Sequence, residues 1–503
     1  MRLANKYKNI DKLKIISCCV IIIMILTKSL GFLRDIKITT LLGASVESDA
    51  FNIAYLLAIT IFGFISSAYG NSLMPILAEL YLKDKKKLEY TIGNIMIIST
   101  MVGIIIIISC WLFPKYFVKL IAFDVSFETI KIACTLVKIS IISILLLLYS
   151  SLFSIILRIY DKNIVPTLGD LIFPIPIVIA LSIGVKDIHK LIWFVVLGYF
   201  LQVFIKLIYL LKLKLKFTFI IDFKDKNLHR IIKLMPPILI STGLLQINSI
   251  IDNQVAASFG TGNITMLSLA SKIYGLAYAV FATSLMQLIY AALSKAASNN
   301  DKNDYEKVVQ SQISIIMTFI IPCVICLLIW GENIITILFV RDNFTLEAGD
   351  VTAKILMGYS VGLIFYVIRD ICNYIFYSHK NTRIPAKISA VAIVINIILN
   401  LVLTKFIGIE GVSYATSISA IIAMIMLLIG IKKCFGGVRL FSCIHIIKFL
   451  LGGIIMYIVL YSFKNVLENN LLSMIVSALI SFIIYLLSLK AIEKIIIIRT
   501  KNI

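Results

Sequence analysis

The chain has 503 residues, of which 60% are hydrophobic and 15% charged, with a mean hydropathy of +1.02. Water-soluble domains carry about a quarter charged residues, so this composition excludes one, and it excludes disordered, collagen-like and disulfide-stapled chains as well. A formal net charge of +22 would point to nucleic acid in a soluble protein; in a membrane protein, basic cytoplasmic loops account for most of it.

Apolar stretches of about 20 residues without period-2 alternation read as membrane-spanning helices rather than barrel strands. The N-terminus, Arg2 to Leu26, is basic and then apolar like a signal peptide. It lacks a small-x-small cleavage site and runs on into further spans, so an uncleaved first helix is expected. In chain order, spans are expected near 13–40, 50–80, 91–113, 129–157, 164–184 and 190–212. More follow near 231–258, 263–294, 308–330, 350–376, 385–405, 411–431, 443–463 and 470–490. The expected fold is therefore an all-α polytopic membrane protein of about fourteen transmembrane helices.

Alternate loops differ in charge. Lys83 to Lys87, Lys212 to Lys233, Lys380 to Lys387 and Lys432-Lys433 fall on one side with both termini. That side holds roughly thirty Lys and Arg, far more than the other, which places both termini in the cytoplasm. The alternately basic and apolar stretch Lys212 to Phe223 is expected to lie along the cytoplasmic interface.

Two groups of six spans look like repeats. Tyr160-Asp-Lys-Asn-Ile-Val-Pro166 matches Ser378-His-Lys-Asn-Thr-Arg-Ile-Pro385, and Leu42-Gly43 matches Phe259-Gly260, at separations of about 218 residues. Parallel repeats of this kind hold a substrate between their halves and rock alternately. The expected organisation is an N-lobe over 1–212, an interfacial linker over 213–230, a C-lobe over 231–433, and two appended helices with a cytoplasmic tail over 434–503.

Ionisable groups inside spans are costly and mark function. Span one carries Lys28, Gly31, Arg34 and Asp35; Asp49 opens span two; span seven holds Gln246, Asn248, Asp252, Asn253 and Gln254; span eight holds Lys272. On the repeat architecture these converge between the halves, where Lys28, Arg34 and Lys272 would line a cavity suited to a phosphate or pyrophosphate. Pairing of each cation with Asp35, Asp49 or Asp252, or snorkelling, stays open. Lys138 and Lys354 are weaker candidates near span ends. Asn396 and Asn400, four apart on span eleven, form with Thr416 and Asp252 a candidate site for a hard monovalent cation. Hydrogen bonding between packed helices is the alternative.

The nine Cys lie mostly in apolar runs and Cys323-x-x-Cys326 has no companion pair; the four His share no spacing. Buried free thiols are the simpler account. No metal centre, catalytic triad or phosphate-cradling Gly loop is legible, so neither an enzyme nor a metal cofactor is expected.

Thr27-Lys-Ser-Leu-Gly-Phe-Leu-Arg-Asp35, Leu42-Gly-Ala44, Ser48-Asp-Ala-Phe51 and Met74-Pro-Ile-Leu-Ala-Glu79 resemble the opening of the MurJ/MviN-type flippases. These belong to the multidrug/oligosaccharidyl-lipid/polysaccharide exporter superfamily and move lipid II, the undecaprenyl-pyrophosphate-linked peptidoglycan precursor, between leaflets. The resemblance continues more loosely through Gln246 to Lys295 and span twelve. It implies that Lys28, Arg34 and Lys272 are substrate-binding cations, Lys28 and Lys272 standing where the family usually has Arg, and that Asp49 is a family acidic position. It also implies that the last two spans form a groove for the prenyl tail. The chain departs from the family in span two, reading Ile61-Phe-Gly-Phe-Ile-Ser-Ser-Ala68 in place of an Arg-Arg-x-Phe-Ala-Glu-Gly segment.

The expected function is an alternating-access flippase for lipid II in the bacterial cytoplasmic membrane, serving cell-wall synthesis. It would be driven by the membrane potential or by Na+, with membrane lipids and the cell-wall synthesis machinery as partners and no nucleic acid. The rivals are a flippase for another lipid-linked oligosaccharide, of capsule, teichoic or O-antigen type, and a non-transporting membrane scaffold.

Overall fold

A computed structural model describes residues 2–218, 220–279, 289, 292–293, 296–297, 302–379, 381–436, 440, 443–466 and 470–501, and among these the chain is helical, without a strand. It divides into two compact units, Met1–Gly262 and Asn263–Ile503. The first contains α1 (Arg2–Leu42), α2 (Val46–Tyr55), α3 (Phe62–Lys83), α4 (Lys85–Leu112), α5 (Pro114–Ile121), α6 (Phe127–Ser140), α7 (Ser143–Ile159), α8 (Ile164–Ile172), α9 (Ile175–Ser182), α10 (Ile188–Leu211) and α11 (Lys226–Ser258). The second contains α12 (Asn263–Tyr278), α13 (Lys302–Phe339), α14 (Leu346–Ser378), α15 (Arg383–Ile407), α16 (Glu410–Phe435), α17 (Cys443–Val466) and α18 (Leu471–Lys501).

Among the described residues, eleven helices are long and apolar enough to cross a membrane, from Val46–Lys83 to Leu471–Lys494. Each coincides with an expected span. The expected spans near 13–40 and 231–258 lie within α1 and α11, which carry the polar residues and are not among the eleven. The span expected near 263–294 is described as α12 up to Tyr278.

Local chemistry explains the joints. Ser45 caps α2, accepting from the Ser48 N–H, while the Ser48 hydroxyl accepts from the Ser45 N–H. A π-helical turn over Leu56–Ile61 then joins α2 to α3 as one span. In the first unit α3 crosses α7 on small residues: the Ser66 hydroxyl donates to the Leu147 carbonyl at 2.6 Å and the Ser151 hydroxyl donates to the Ser66 carbonyl at 2.8 Å. The basic segment between α10 and α11 is tied to α4 through Asn94, which donates to the Asp222 carbonyl at 2.7 Å and accepts its N–H at 2.9 Å. The helix that the repeat assigns to the second half, α11, packs within the first unit, where Arg230 meets Glu79 of α3 at 2.7 Å.

In the second unit Gly358 and Gly362, one turn apart on α14, let α16 approach closely, and the Ser417 hydroxyl donates to the Gly358 carbonyl at 2.6 Å. The last pair, α17 and α18, packs on α13; Lys464 donates to the Ile329 carbonyl and Tyr485 to the Met317 carbonyl. Outward faces are apolar and exposed, as with Ile104, Ile105 and Ile108 of α4 and Val394, Ile398 and Leu401 of α15. Lipid, not water, solvates such faces.

Candidate functional site: basic faces of α1 and α12

On α1, Gly31 lies one turn from Lys28 and one turn from Arg34, and the two cations, six residues apart, point about 120° apart round the helix. Lys28 is exposed, and a Cβ at Gly31 would meet nothing within 4 Å, so α1 has room beside the ammonium group. Arg34, deeper, is buried. Its Nε and Nη2 donate to Oδ1 of Asp35 at 3.1 and 2.9 Å, and its guanidinium lies over the rings of Tyr55 at 4.7 Å and Phe173 at 6.0 Å. The side chains of this pair keep 9% and 11% of their surface. An ion pair so enclosed is tolerable because every charge has a partner and the aromatic faces attract the cation. Of the two arrangements open for Arg34 in the sequence, the structure has the one paired with Asp35.

Asp49 is buried near the start of α2, and its Oδ2 accepts the backbone N–H of Gly262 at 2.5 Å. Gly262 has a φ of +87°, a backbone state that favours glycine, and a Cβ there would crowd Ala44 at 2.9 Å. Asp49 thus ties the turn after α11 to the start of α2. On α11, Asp252 accepts from Asn248 at 3.3 Å, Asn253 donates to the Ser249 carbonyl, and Gln254 reaches the Leu120 carbonyl at 2.9 Å.

On α12, Lys272 is half-buried and Gly275 follows it three residues on; a Cβ at Gly275 would meet nothing within 4 Å. The Lys-x-x-Gly arrangement of α1 therefore recurs in the second unit. The set Asn396, Asn400 and Thr416 is buried. Asn400 donates to Asn396 at 3.2 Å, Asn396 donates to the Thr416 hydroxyl at 3.2 Å, and Thr416 donates to the Val412 carbonyl at 3.0 Å. That is the helix-to-helix hydrogen bonding left open beside the cation site. Asp252, the carboxylate of the candidate set, belongs to the other unit. No group of three or more His, Cys, Asp or Glu among the described residues could hold a metal ion.

Two charged groups were not singled out by the sequence reading. In the first unit Lys206 of α10 is 2% exposed, its ammonium donating to Ser150 at 2.7 Å and Asp170 at 3.3 Å, with Gln202 also donating to Asp170. Asp170, alone in the apolar stretch 164–184, was the available signal. In the second unit Arg369 and Asp370 form an ion pair on α14, with Tyr278 donating to Asp370. Adjacent opposite charges within 350–376 were the signal there.

The family model described as Lipid II flippase MurJ matches residues 38–493. The chain belongs to the MurJ lipid II flippase family. Lys28 and Arg34 lie just ahead of the matched MurJ segment, and Asp49, Asp252, Lys272, Asn396, Asn400 and Thr416 lie inside it. A probable lipid II flippase MurJ of Buchnera aphidicola subsp. Schizaphis graminum is 27% identical over 420 residues, covering 81% of this chain and 80% of the relative. The lipid II flippase MurJ of Thermosipho africanus is 26% identical over 466 residues, covering 92% and 93%. A solved lipid II flippase MurJ in an inward closed conformation superposes with a TM-score of 0.82 at 26% identity, covering 95% of this chain and 99% of that one. An inward-facing multidrug-resistance MATE transporter, at 14% identity and a TM-score of 0.71 over 84% of this chain and all of its own, shares the fold.

Proposed function

We propose that this chain flips lipid II from the inner to the outer leaflet of a bacterial cytoplasmic membrane by alternating access, with both termini in the cytoplasm. The observation that carries the reading is the pair of cations on α1: an exposed Lys28 beside the open surface of Gly31, with Arg34 one turn beyond that glycine, on a helix of a polytopic family member. Lys272 beside Gly275 supports it from the second unit. Ammonium and guanidinium groups in a poorly hydrated setting suit a pyrophosphate, which offers several anionic acceptors. Arg34 is held in position by Asp35 and Tyr55, so its guanidinium is oriented before substrate arrives. A flippase breaks no bond in its substrate; these groups only bind and release.

The test is complementation of a lipid II flippase deletion together with a leaflet-specific assay of lipid II accessibility. The Lys28→Ala/Lys272→Ala variant is expected to reach the membrane folded and to fail both assays. Full complementation by it would overturn the reading. Energy is proposed to come from the membrane potential or from sodium. If sodium couples through Asp252, sodium raises the melting temperature of the purified protein and Asp252→Ala abolishes the rise; an unchanged rise removes that site.

One observation favours a second reading, a flippase for another lipid-linked oligosaccharide. The segment Ile61–Ala68, at the join of the π-helical turn and α3, lacks the basic and acidic residues that the family usually places there. Accumulation of a different lipid-linked glycan on the inner leaflet in depleted cells, with lipid II unaffected, would select it.

A further inference from the structure

One cluster in the second unit has no part in the roles above. Tyr366, Arg369, Asp370 and Asn373 recur at three- and four-residue spacings on α14 and so share a face. Asp370 accepts from Nε and Nη2 of Arg369 at 3.1 and 2.8 Å and from the hydroxyl of Tyr278 on α12. The Arg369 guanidinium lies 4.4 Å from the Tyr366 ring centre. Tyr274 completes an aromatic panel: its ring lies within 18° of parallel to Tyr278, within 25° of Tyr359 at 5.3 Å, and edge-on to Tyr366 at 5.9 Å.

Two features distinguish this from closed packing. The side chains of Arg369 and Asp370 keep 23% and 17% of their surface, and among the described residues the guanidinium donates hydrogen bonds to Asp370 alone, leaving Nη1 without an acceptor. Asn373, one turn on, has a buried Oδ1 with no hydrogen-bond partner among the described residues. A buried acceptor left unsatisfied is costly, and proteins seldom keep one without a use.

A donor at Nη1, an acceptor at Asn373, a carboxylate at Asp370 and flat aromatic surfaces together match a pyranose. Its C–H face rests on the rings, its hydroxyls meet the carboxylate and guanidinium, and an N-acetyl group supplies an N–H to the amide oxygen. A bare phosphate is a poor match, because it offers no C–H face to the rings and no N–H to Asn373. We infer that the face formed by Tyr274, Tyr278, Tyr366, Arg369, Asp370 and Asn373 binds an N-acetylated hexose of the transported headgroup. This rests on the proposed transport of a lipid-linked glycan and adds which side chains read its sugar.

The test compares lipid II with undecaprenyl pyrophosphate, which lacks the sugars, by native mass spectrometry of the full-length protein in detergent. Wild-type protein is expected to prefer lipid II by on the order of tenfold. Tyr366→Leu and Asp370→Asn should bring that preference to within about twofold while binding of undecaprenyl pyrophosphate is unchanged; Tyr366→Phe, which keeps the ring, should retain it. Should Tyr366→Leu not fold, Asn373→Ala carries the same comparison, since Asn373 Oδ1 has no hydrogen bond to lose. Folded variants that keep the wild-type preference, or that lose both ligands equally, would overturn the sugar site. A wild-type protein that binds neither ligand would overturn the transport reading instead.

Discussion

Each compact unit has an arginine followed directly by the aspartate that neutralises it, and the two pairs sit in different settings. Arg34–Asp35 on α1 is enclosed, keeps about a tenth of its surface, and lies between Tyr55 and Phe173. Arg369–Asp370 on α14 has the same bonding, Nε and Nη2 both on Oδ1, yet it is about twice as open and is joined by Tyr278. Identical local chemistry therefore serves two ends. Enclosure holds the Arg34 guanidinium in one orientation, whereas openness beside an unsatisfied amide, Asn373, gives the second pair room for a bulkier group.

That contrast can be broken by measurement. The largest expected effect is for Asp35→Ala, which strands a buried guanidinium; a loss of about 3–5 kcal/mol is expected, read as the greatest fall in melting temperature in the series. Asp370→Ala should cost less, about 1–3 kcal/mol, because solvent reaches that cation and Tyr278 can rotate to another acceptor. If Asp370→Ala proves the more damaging of the two, exposure is not what separates the pairs. The double variant Arg34→Ala/Asp35→Ala should be milder than Asp35→Ala alone, since it leaves no lone charge, and a double-mutant cycle measures the difference. The smallest stability effect is for Lys28→Ala. Lys28 is exposed and makes no ion pair among the described residues, so a change within about 0.5 kcal/mol is expected. Its lipid II transport should nonetheless fall, which the leaflet accessibility assay reads.

The residues differ in how legible they were. Lys28, Arg34 and Lys272 stood out because each is a charge placed where hydropathy requires none, and the first two also lie in a motif with a family resemblance. Asp49 was legible as an acidic position, but its bond to the N–H of Gly262 was not, because it joins residues more than two hundred positions apart. Asn396 and Asn400 were read onto one face with Thr416 as a companion, and the packing of α15 on α16 adds the bond from Asn396 to the Thr416 hydroxyl. Arg369 and Lys206 lack such a signal for opposite reasons. Arg369 carries its counter-ion beside it, and Lys206 sits near a span end, where a snorkelling ammonium is the ordinary expectation. In fact Lys206 turns inward to Ser150 and Asp170.

The sequence by itself determined that this is a helical membrane protein, and it located the eleven described spans, because membrane insertion depends on solvation free energies that add along a local stretch of chain. Its residues also carried enough of a motif to point to the MurJ family. Tertiary structure alone decided that Lys206 turns to Asp170, that Asp49 takes the Gly262 N–H, and which aromatic rings gather around Arg34. Those choices depend on contacts of 3–4 Å between helices distant in the chain, and neither hydropathy nor helical period contains that distance.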